Sequence, residues 1–167
     1  MEKIETLYIT PNGFDNLLLQ SDGEFLTGLH YVKTFSETSQ KSSLNPKLPQ
    51  CLLKTICWLD TYFSGHHPDF TPAYKIENLT PFRKEVIEIL NKIPFGKTLT
   101  YGEIASKIAQ NRTIPKMSAQ AVGNAVGWNP ICIIIPCHRV IGSNGNLVGY
   151  GGGIHNKEAL LRLEGSL

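Results

Sequence analysis

No run of apolar residues in the sequence approaches the roughly 18 that a membrane-spanning helix needs, so no membrane span is expected. The opening Met1-Glu2-Lys3-Ile4-Glu5 is charged and lacks the apolar centre of a secretory signal, which points to a cytoplasmic protein. Cysteine is sparse: four in 167 residues do not make a disulfide framework, and a reducing cytosol would keep them as thiols. Nor is there an excess of charge of one sign. Sixteen Lys and Arg stand against fourteen Asp and Glu, a net of +2, which establishes no nucleic-acid partner and permits one only if the basic side chains gather on one face. Internal repeats and low-complexity tracts are also lacking. What remains is the composition of an ordinary soluble protein, 41% hydrophobic and 18% charged, long enough to bury a core as one medium domain or two small ones.

The first third reads as strand. Residues 4–9, 14–19 and 24–32 are β-rich runs separated by Pro11-Asn12-Gly13 and Ser21-Asp22-Gly23. That turn chemistry tolerates positive φ, so an antiparallel meander is expected. Residues 34–49 are polar and Ser-rich, as in an irregular loop. Residues 51–64 have helical periodicity, with Leu52, Ile56, Leu59 and Phe63 near one face and Gly65 as the stop. Residues 66–78 contain two Pro and little periodicity, as a linker would. A second domain opens at Thr80-Pro81, an N-cap followed by Pro at the first helical position, with Phe82, Val86, Ile89 and Leu90 on the apolar face. Gly96-Lys97 gives a turn, and Thr100 caps a helix over 101–110 with Ile104 and Ile108 inward. Residues 111–117 connect, and Ser118 caps a short helix of small residues over 119–126. A strand and a hairpin punctuated by Ser143-Asn144-Gly145 complete the pattern of a winged helix-turn-helix. The domains are placed at 1–78 and 79–167.

One stretch carries chemistry. In Ile131-Cys132-Ile133-Ile134-Ile135-Pro136-Cys137-His138-Arg139-Val140 a buried apolar strand is expected to run into Pro136, which ends it and aims the residues that follow. Cys137 supplies a nucleophile, and the imidazole of His138 is the side chain best suited to take a thiol proton near neutral pH. Gly149-Tyr150-Gly151-Gly152-Gly153 is a loop that lets backbone come close to a ligand. Residues 157–164 read as a short helix that brings Glu164, a carboxylate able to orient the imidazole. Cys137, His138 and Glu164 make a triad-like set.

These pieces occur in a recognisable order. Pro81-Phe82, Thr100-Tyr101-Gly102-Glu103-Ile104-Ala105, Ala121-Val122-Gly123, Asn129-Pro130, the pentad Pro136-Cys137-His138-Arg139-Val140, Gly149-Tyr150, and Lys157 through Leu161 to Glu164-Gly165 follow one another at consistent intervals. Over residues 80–165 the chain resembles the catalytic domain of the O6-alkylguanine-DNA alkyltransferases. The resemblance implies an α/β N-terminal domain, a small antiparallel sheet plus a helix of RNase H-like type, followed by a mainly α winged helix-turn-helix catalytic domain. It implies direct-reversal DNA repair, in which an alkyl group moves irreversibly from O6 of guanine, with O4 of thymine as a further candidate, to Cys137. The thioether product offers water no easy cleavage, so each molecule would act once and need no cofactor. The partner implied is double-stranded DNA carrying an alkylated guanine, entered by a monomer through the minor groove with the target base flipped out. In a prokaryote such a protein would be nucleoid-associated.

The same resemblance distributes roles. His138 would take the thiol proton through a water, because adjacent side chains on an extended chain point apart. Glu164 would fix the imidazole tautomer, Asn129 would hold the turn, and Tyr101 would donate to the leaving guanine. Ala119, Ala121, Gly123 and Ala125 would let their helix approach DNA closely. Gln120 stands where many relatives carry the Arg that fills the flipped base's place. Gly151 stands where some carry Ser near the alkylated oxygen, and the backbone N–H groups of Gly151 and Gly152 would serve instead. Tyr150 would wall the pocket. Arg139 would either bind phosphate or tie the wing down. Some relatives bind zinc through N-terminal Cys and His, but this chain has no Cys before Cys51, and Cys51 and Cys57 fall on different faces of a helix. No metal is expected. His66 and His67 read as linker residues, and Cys51, Cys57 and Cys132 as packing. Two competing functions remain: a Cys-His-Glu thiol hydrolase that turns over, and a non-enzymatic binder of alkylation lesions.

Overall fold

The computed structural model describes residues 3–33 and 48–167. Most of the loop expected at 34–49 lies outside these. The described residues form two compact units, Met1–Glu77 and Asn78–Leu167. Among them no helix is long and apolar enough to cross a membrane.

The first unit is an antiparallel meander with one helix. Strands β1 (Ile4–Tyr8), β2 (Asn16–Ser21) and β3 (Leu26–Val32) pair in sequence order. Alternation sets the buried face: Leu17 and Leu19 of β2 face inward with Leu26 and Leu29 of β3. The β2–β3 turn is held by Asp22, whose Oδ1 accepts from the N–H of Glu24 (3.0 Å) and Phe25 (2.8 Å), with Gly23 at φ +101°. Helix α1 (Gln50–Phe63) buries Cys51, Leu52, Thr55, Trp58, Leu59 and Tyr62. The face expected from the sequence is thus rotated: Ile56 and Phe63 sit at its margin, and aromatic stacking of Trp58 on Tyr62 (5.2 Å) draws those two larger rings inward. Cys57 is exposed, so it is not a packing residue, whereas Cys51 is buried against Ser21 Oγ at 3.0 Å. The expected linker touches the sheet at one isolated bridge. Leu26 N–H donates to Ala73 and Lys75 N–H returns to Leu26, which makes a parallel bridge at Tyr74.

The second unit follows local signals closely. Thr80 caps α2 (Pro81–Leu90) by accepting from Arg83 N–H. Thr100 and Glu103 form a reciprocal capping box on α3 (Tyr101–Arg112), with bonds of 3.1 and 2.6 Å. Ser118 caps α4 (Ala119–Gly127) through Ala121 N–H. Helix α4 buries Val122, Ala125 and Val126, so Ala125 belongs to the core and not to a DNA-facing surface. The guanidinium of Arg83 lies 3.9 Å over the ring of Trp128, which ties α2 to the end of α4 one residue before Asn129.

Two expectations fail after α4. Residues 131–135 are not a strand. They fold into buried tight turns, with Ile134 N–H bonded to Cys132 O, Ile135 N–H to Ile131 O, and Ile133 at φ +68°. A fully apolar run looks alike to periodicity in either conformation. Here the side chain of Asn129 supplies the backbone bonds a neighbouring strand would have given. The expected hairpin is also absent. Val140–Ile141 is β5 and pairs in parallel with β4 (Leu99–Thr100). Ser143–Gly145 is a tight turn that leaves helical geometry at Asn144 (φ +62°) and is closed by Gly142 N–H to Asn146 O at 2.8 Å. Asn144 and Gly145 adopt the positive φ expected of a turn, but no ladder flanks them. Helix α5 (Ile154–Leu163) ends the unit, with Glu164 as its C-cap.

Candidate active site

Cys137 begins a 3-10 turn, Cys137–Arg139, directly after Pro136. Its thiol is 6% exposed and lies 3.1 Å from Asn129 Nδ2, which donates to the sulfur. The same amide nitrogen donates to Ile135 O (2.9 Å) and Ile131 O (3.3 Å), while Asn129 Oδ1 accepts from Ile131 N–H (3.0 Å). Asn129 therefore builds the turn and touches the sulfur it presents. Burial pushes the Cys137 thiol up from its ordinary value, and the Asn129 bond and the charge of Lys157 pull in the opposite direction.

His138 is fully buried and bonds through Nε2 to Glu164 Oε1 at 2.7 Å. Burial holds its imidazole below the ordinary value, and Glu164 only partly offsets this. Burial alone would raise the Glu164 carboxyl. Bonds from His138 and Arg139 outweigh it and hold the group well below the carboxylate range. Arg139 settles its own alternatives: it is buried, with Nε on Glu164 Oε2 (2.9 Å), NH2 on Oε1 (3.0 Å) and NH1 on Ile93 O (2.6 Å). It is thus a tie within the unit, and a role on phosphate gives way. Gly96 N–H also reaches Glu164 Oε2 at 3.2 Å. Gly96 has φ +74°, and a Cβ there would meet Glu164 O at 2.9 Å, so only glycine fits this approach.

The opposite wall is Tyr101 and the glycine loop. Tyr101 OH donates to Val148 O (3.2 Å) and Gly149 O (3.4 Å). Burial raises this phenol, and proximity to Cys137 adds to the effect, so the hydroxyl stays protonated. Tyr150 and Gly152 are half-buried and Gly151 is exposed. Gly152 O accepts from Asn156 Nδ2 at 2.6 Å, which fastens the loop to α5. Ala119 and Gln120 are exposed at the start of α4, Ala121 and Gly123 half-buried. The Cβ position of Gly123 lies 3.8 Å from the Tyr101 ring, an ordinary van der Waals distance, which places this face of α4 beside the pocket wall.

Lys157 is a buried residue of this site to which the sequence assigns no role. It is fully buried, and its Nζ donates to Val140 O (2.6 Å) and Val148 O (2.9 Å) while lying 5.9 Å from the rings of Tyr101 and Tyr150. It joins the segment that follows the thiol turn to the loop opposite. A signal was present: Lys157, Leu160, Leu161 and Glu164 fall at i, i+3, i+4 and i+7, so two charges lie on the buried stripe of α5. Burial lowers the Lys157 ammonium to about 8. Below that pH its charge assists thiolate formation, and above it the assistance fades. Lys157→Met should therefore slow labelling of Cys137 by a small alkylating agent below pH 8. It should also cost on the order of 1–3 kcal/mol for each buried carbonyl left without a donor. An identical pH dependence of labelling in Lys157→Met would remove Lys157 from the site. Among the described residues, no group of three or more His, Cys, Asp and Glu side chains is placed to hold a metal.

The arrangement offers a buried nucleophile, a base held by a carboxylate, and a phenol able to donate. A family model described as the 6-O-methylguanine DNA methyltransferase, DNA binding domain, matches residues 81–166. A methylated-DNA–protein-cysteine methyltransferase of Mycobacterium bovis is 41% identical over 150 residues, covering 90% of this chain and 86% of the relative. The crystal structure of the Mycobacterium tuberculosis O6-methylguanine methyltransferase superposes with a TM-score of 0.78 at 39% identity, covering 99% of this chain and 94% of that one. That of Mycobacterium tuberculosis OGT in complex with DNA superposes with a TM-score of 0.75 at 38% identity, covering 97% and 92%.

Proposed function

The chain belongs to the O6-methylguanine-DNA methyltransferase family, and from that premise we propose that Cys137 is the atom through which it acts. Its function is direct-reversal DNA repair: it binds DNA and transfers an alkyl group from O6 of guanine to its own cysteine, a stoichiometric and self-inactivating reaction. The observation that carries the assignment of Cys137 is that its sulfur alone among the four thiols shares a buried turn with an imidazole held by a carboxylate.

In this reading His138 receives the thiol proton. The sulfur–carbon bond forms as the carbon–O6 bond breaks, Tyr101 gives its proton to the departing guanine, and the proton taken by His138 replaces it on Tyr101, so that the thiol's proton is the one the guanine gains. The raised phenol suits a donor. Neither Cys137 nor His138 is charged at rest, because burial raises one and lowers the other. The proton therefore moves with the reaction, and no standing thiolate–imidazolium pair is needed. Tyr150, Gly151 and Gly152 line the space for the flipped base.

Alkylated guanine is reached from the minor groove by a monomer. Support for this is the exposed start of α4, where Ala119 offers little bulk and Gln120 a long uncharged side chain. Gln120 fills the place of the flipped base. Gln120→Ala should slow repair in duplex more than in single strands, where less unpairing is required. Gln120→Arg should tighten duplex binding and steepen its salt dependence by about 0.9 in log affinity against log salt. Equal losses on both substrates would place Gln120 elsewhere.

The test is a titration of the protein against a duplex with one O6-methylguanine. One methyl group transferred per protein molecule, then nothing with DNA in excess, is expected. Repeated turnover by unmodified protein would favour the thiol hydrolase, and binding without transfer the lesion binder.

A further inference from the structure

The buried group formed by His138, Glu164 and Arg139 has more donors than orientation of an imidazole requires. A carboxylate offers about four acceptor positions. On Glu164 all four are taken: Oε1 by His138 Nε2 (2.7 Å) and Arg139 NH2 (3.0 Å), Oε2 by Arg139 Nε (2.9 Å) and Gly96 N–H (3.2 Å). Arg139 adds a third anchor, Ile93 O at 2.6 Å, which fixes the plane of its guanidinium. All three residues are at most 6% exposed, so the charges act at short range with little solvent to weaken them.

We propose that Arg139 is a positioning residue for alkyl transfer: by forking onto both oxygens of Glu164 it balances the carboxylate's charge, so that His138 meets the thiol as a neutral base with its proton on Nε2. This rests on the reading of His138 as the proton acceptor. A carboxylate with only an imidazole beside it would favour the imidazolium. A ring already protonated cannot take a second proton, so an unbalanced Glu164 would weaken the base it holds on the acid side. Arg139 removes that trap while leaving the 2.7 Å bond that sets the tautomer. Since ionised Glu164 can only accept, Nε2 must donate, and Nδ1 is left as the ring's acceptor. The charged groups facing His138 are Glu164 at the end of α5, Arg139 beside it, and Lys157 on α5. Burial is the strongest influence keeping the ring neutral, Glu164 opposes it, and the two cations support it. Lysine could not replace Arg139 fully, because an ammonium is a point charge without a fork.

The experiment is the single-turnover rate of methyl transfer from saturating methylated duplex, measured against pH in the full chain. Wild type should lose rate on the acid side as His138 becomes protonated. In Arg139→Gln, which keeps polar contact but not charge, that acid limb should move to higher pH by about one unit, a tenfold loss at a pH on the limb. Arg139→Lys should restore most of the position at a reduced maximum rate. A purely structural role for Arg139 would lower the maximum without moving the limb, and that result in Arg139→Gln would overturn the proposal. So would an Arg139→Lys limb displaced as far as that of Arg139→Gln. His138→Gln separates the two levels of argument. Loss of the limb supports His138 as base, and a limb that persists overturns that reading and the proposal with it. Should Arg139→Gln fail to fold, nitrogen NMR of His-labelled wild type still decides. A neutral ring protonated at Nε2 at pH 7 is expected, and an imidazolium there would overturn the proposal.

Discussion

Cys137→Ser should abolish methyl transfer, by on the order of a million-fold as for nucleophile removal in other enzymes, while leaving the affinity for methylated duplex within about twofold. Serine is close in size to cysteine and can accept the Asn129 bond that now ends on sulfur at 3.1 Å, so the turn over residues 131–136 should persist. What it lacks is a soft, easily deprotonated atom. A serine hydroxyl holds its proton far more tightly than even a buried thiol, and His138, kept neutral but weakly basic by burial, cannot take it. The exposed start of α4 is untouched, so DNA binding should survive. The checks are transfer of labelled methyl and a binding titration on the same preparation. Transfer at a tenth of the wild-type rate would mean that another side chain attacks.

Glu164→Gln should have the largest effect on stability. It replaces an acceptor of four bonds by a group that must present an NH2 on one side, opposite donors from His138, Arg139 or Gly96. The Arg139 guanidinium would remain buried without a counter-charge. Breaking a buried pair in this way costs about 3–5 kcal/mol. The sign with pH follows from the direction of the shift. The folded carboxyl lies below its ordinary 4.5, so its contribution is complete above that value and fades as pH falls through the folded one. The gap between wild type and variant should therefore be widest near neutrality and narrow in acid. Urea unfolding read at Trp128 in a Trp58→Phe background reports the second unit alone, because the chain has two tryptophans. Transfer should fall by about 10⁴-fold, as when an amide replaces the carboxylate of a comparable triad. A variant as stable and as active as wild type would dissolve the group of three.

The parts of the second unit legible in the sequence are those governed by rules a few residues long. Thr80-Pro81, the Thr100–Glu103 box and Ser118 each cap a helix because the side-chain oxygen needs only a donor two or three positions away. The turn at Asp22-Gly23 is of the same kind. What escaped depends on partners distant in sequence. Residues 131–135 look like a strand until Asn129 is known to serve as their ladder, and Ile133 then takes a positive φ that no propensity for isoleucine would suggest. Arg139 had two open roles because its partner carbonyl, Ile93, lies 46 positions away. Lys157 belongs to the motif order but takes no role from it, although its place on the apolar stripe of α5 marks it as buried. Cys57 reads as packing when the helical phase is set on Leu52, Ile56, Leu59 and Phe63, and the stacked rings of Trp58 and Tyr62 rotate the buried face away from it. At the site, the residue types and their order named Cys137, His138 and Glu164. The charge balance around them came only from the structure.

The measurement that bears most directly on this account is a peptide map of the protein after one equivalent of duplex bearing O6-methylguanine, with each of Cys51, Cys57, Cys132 and Cys137 followed by mass. The account requires a single methyl group, as a thioether on Cys137, in proportion to the guanine restored. Methyl on the exposed Cys57 or on either of the other two thiols, or restored guanine with all four thiols unmodified, would contradict it.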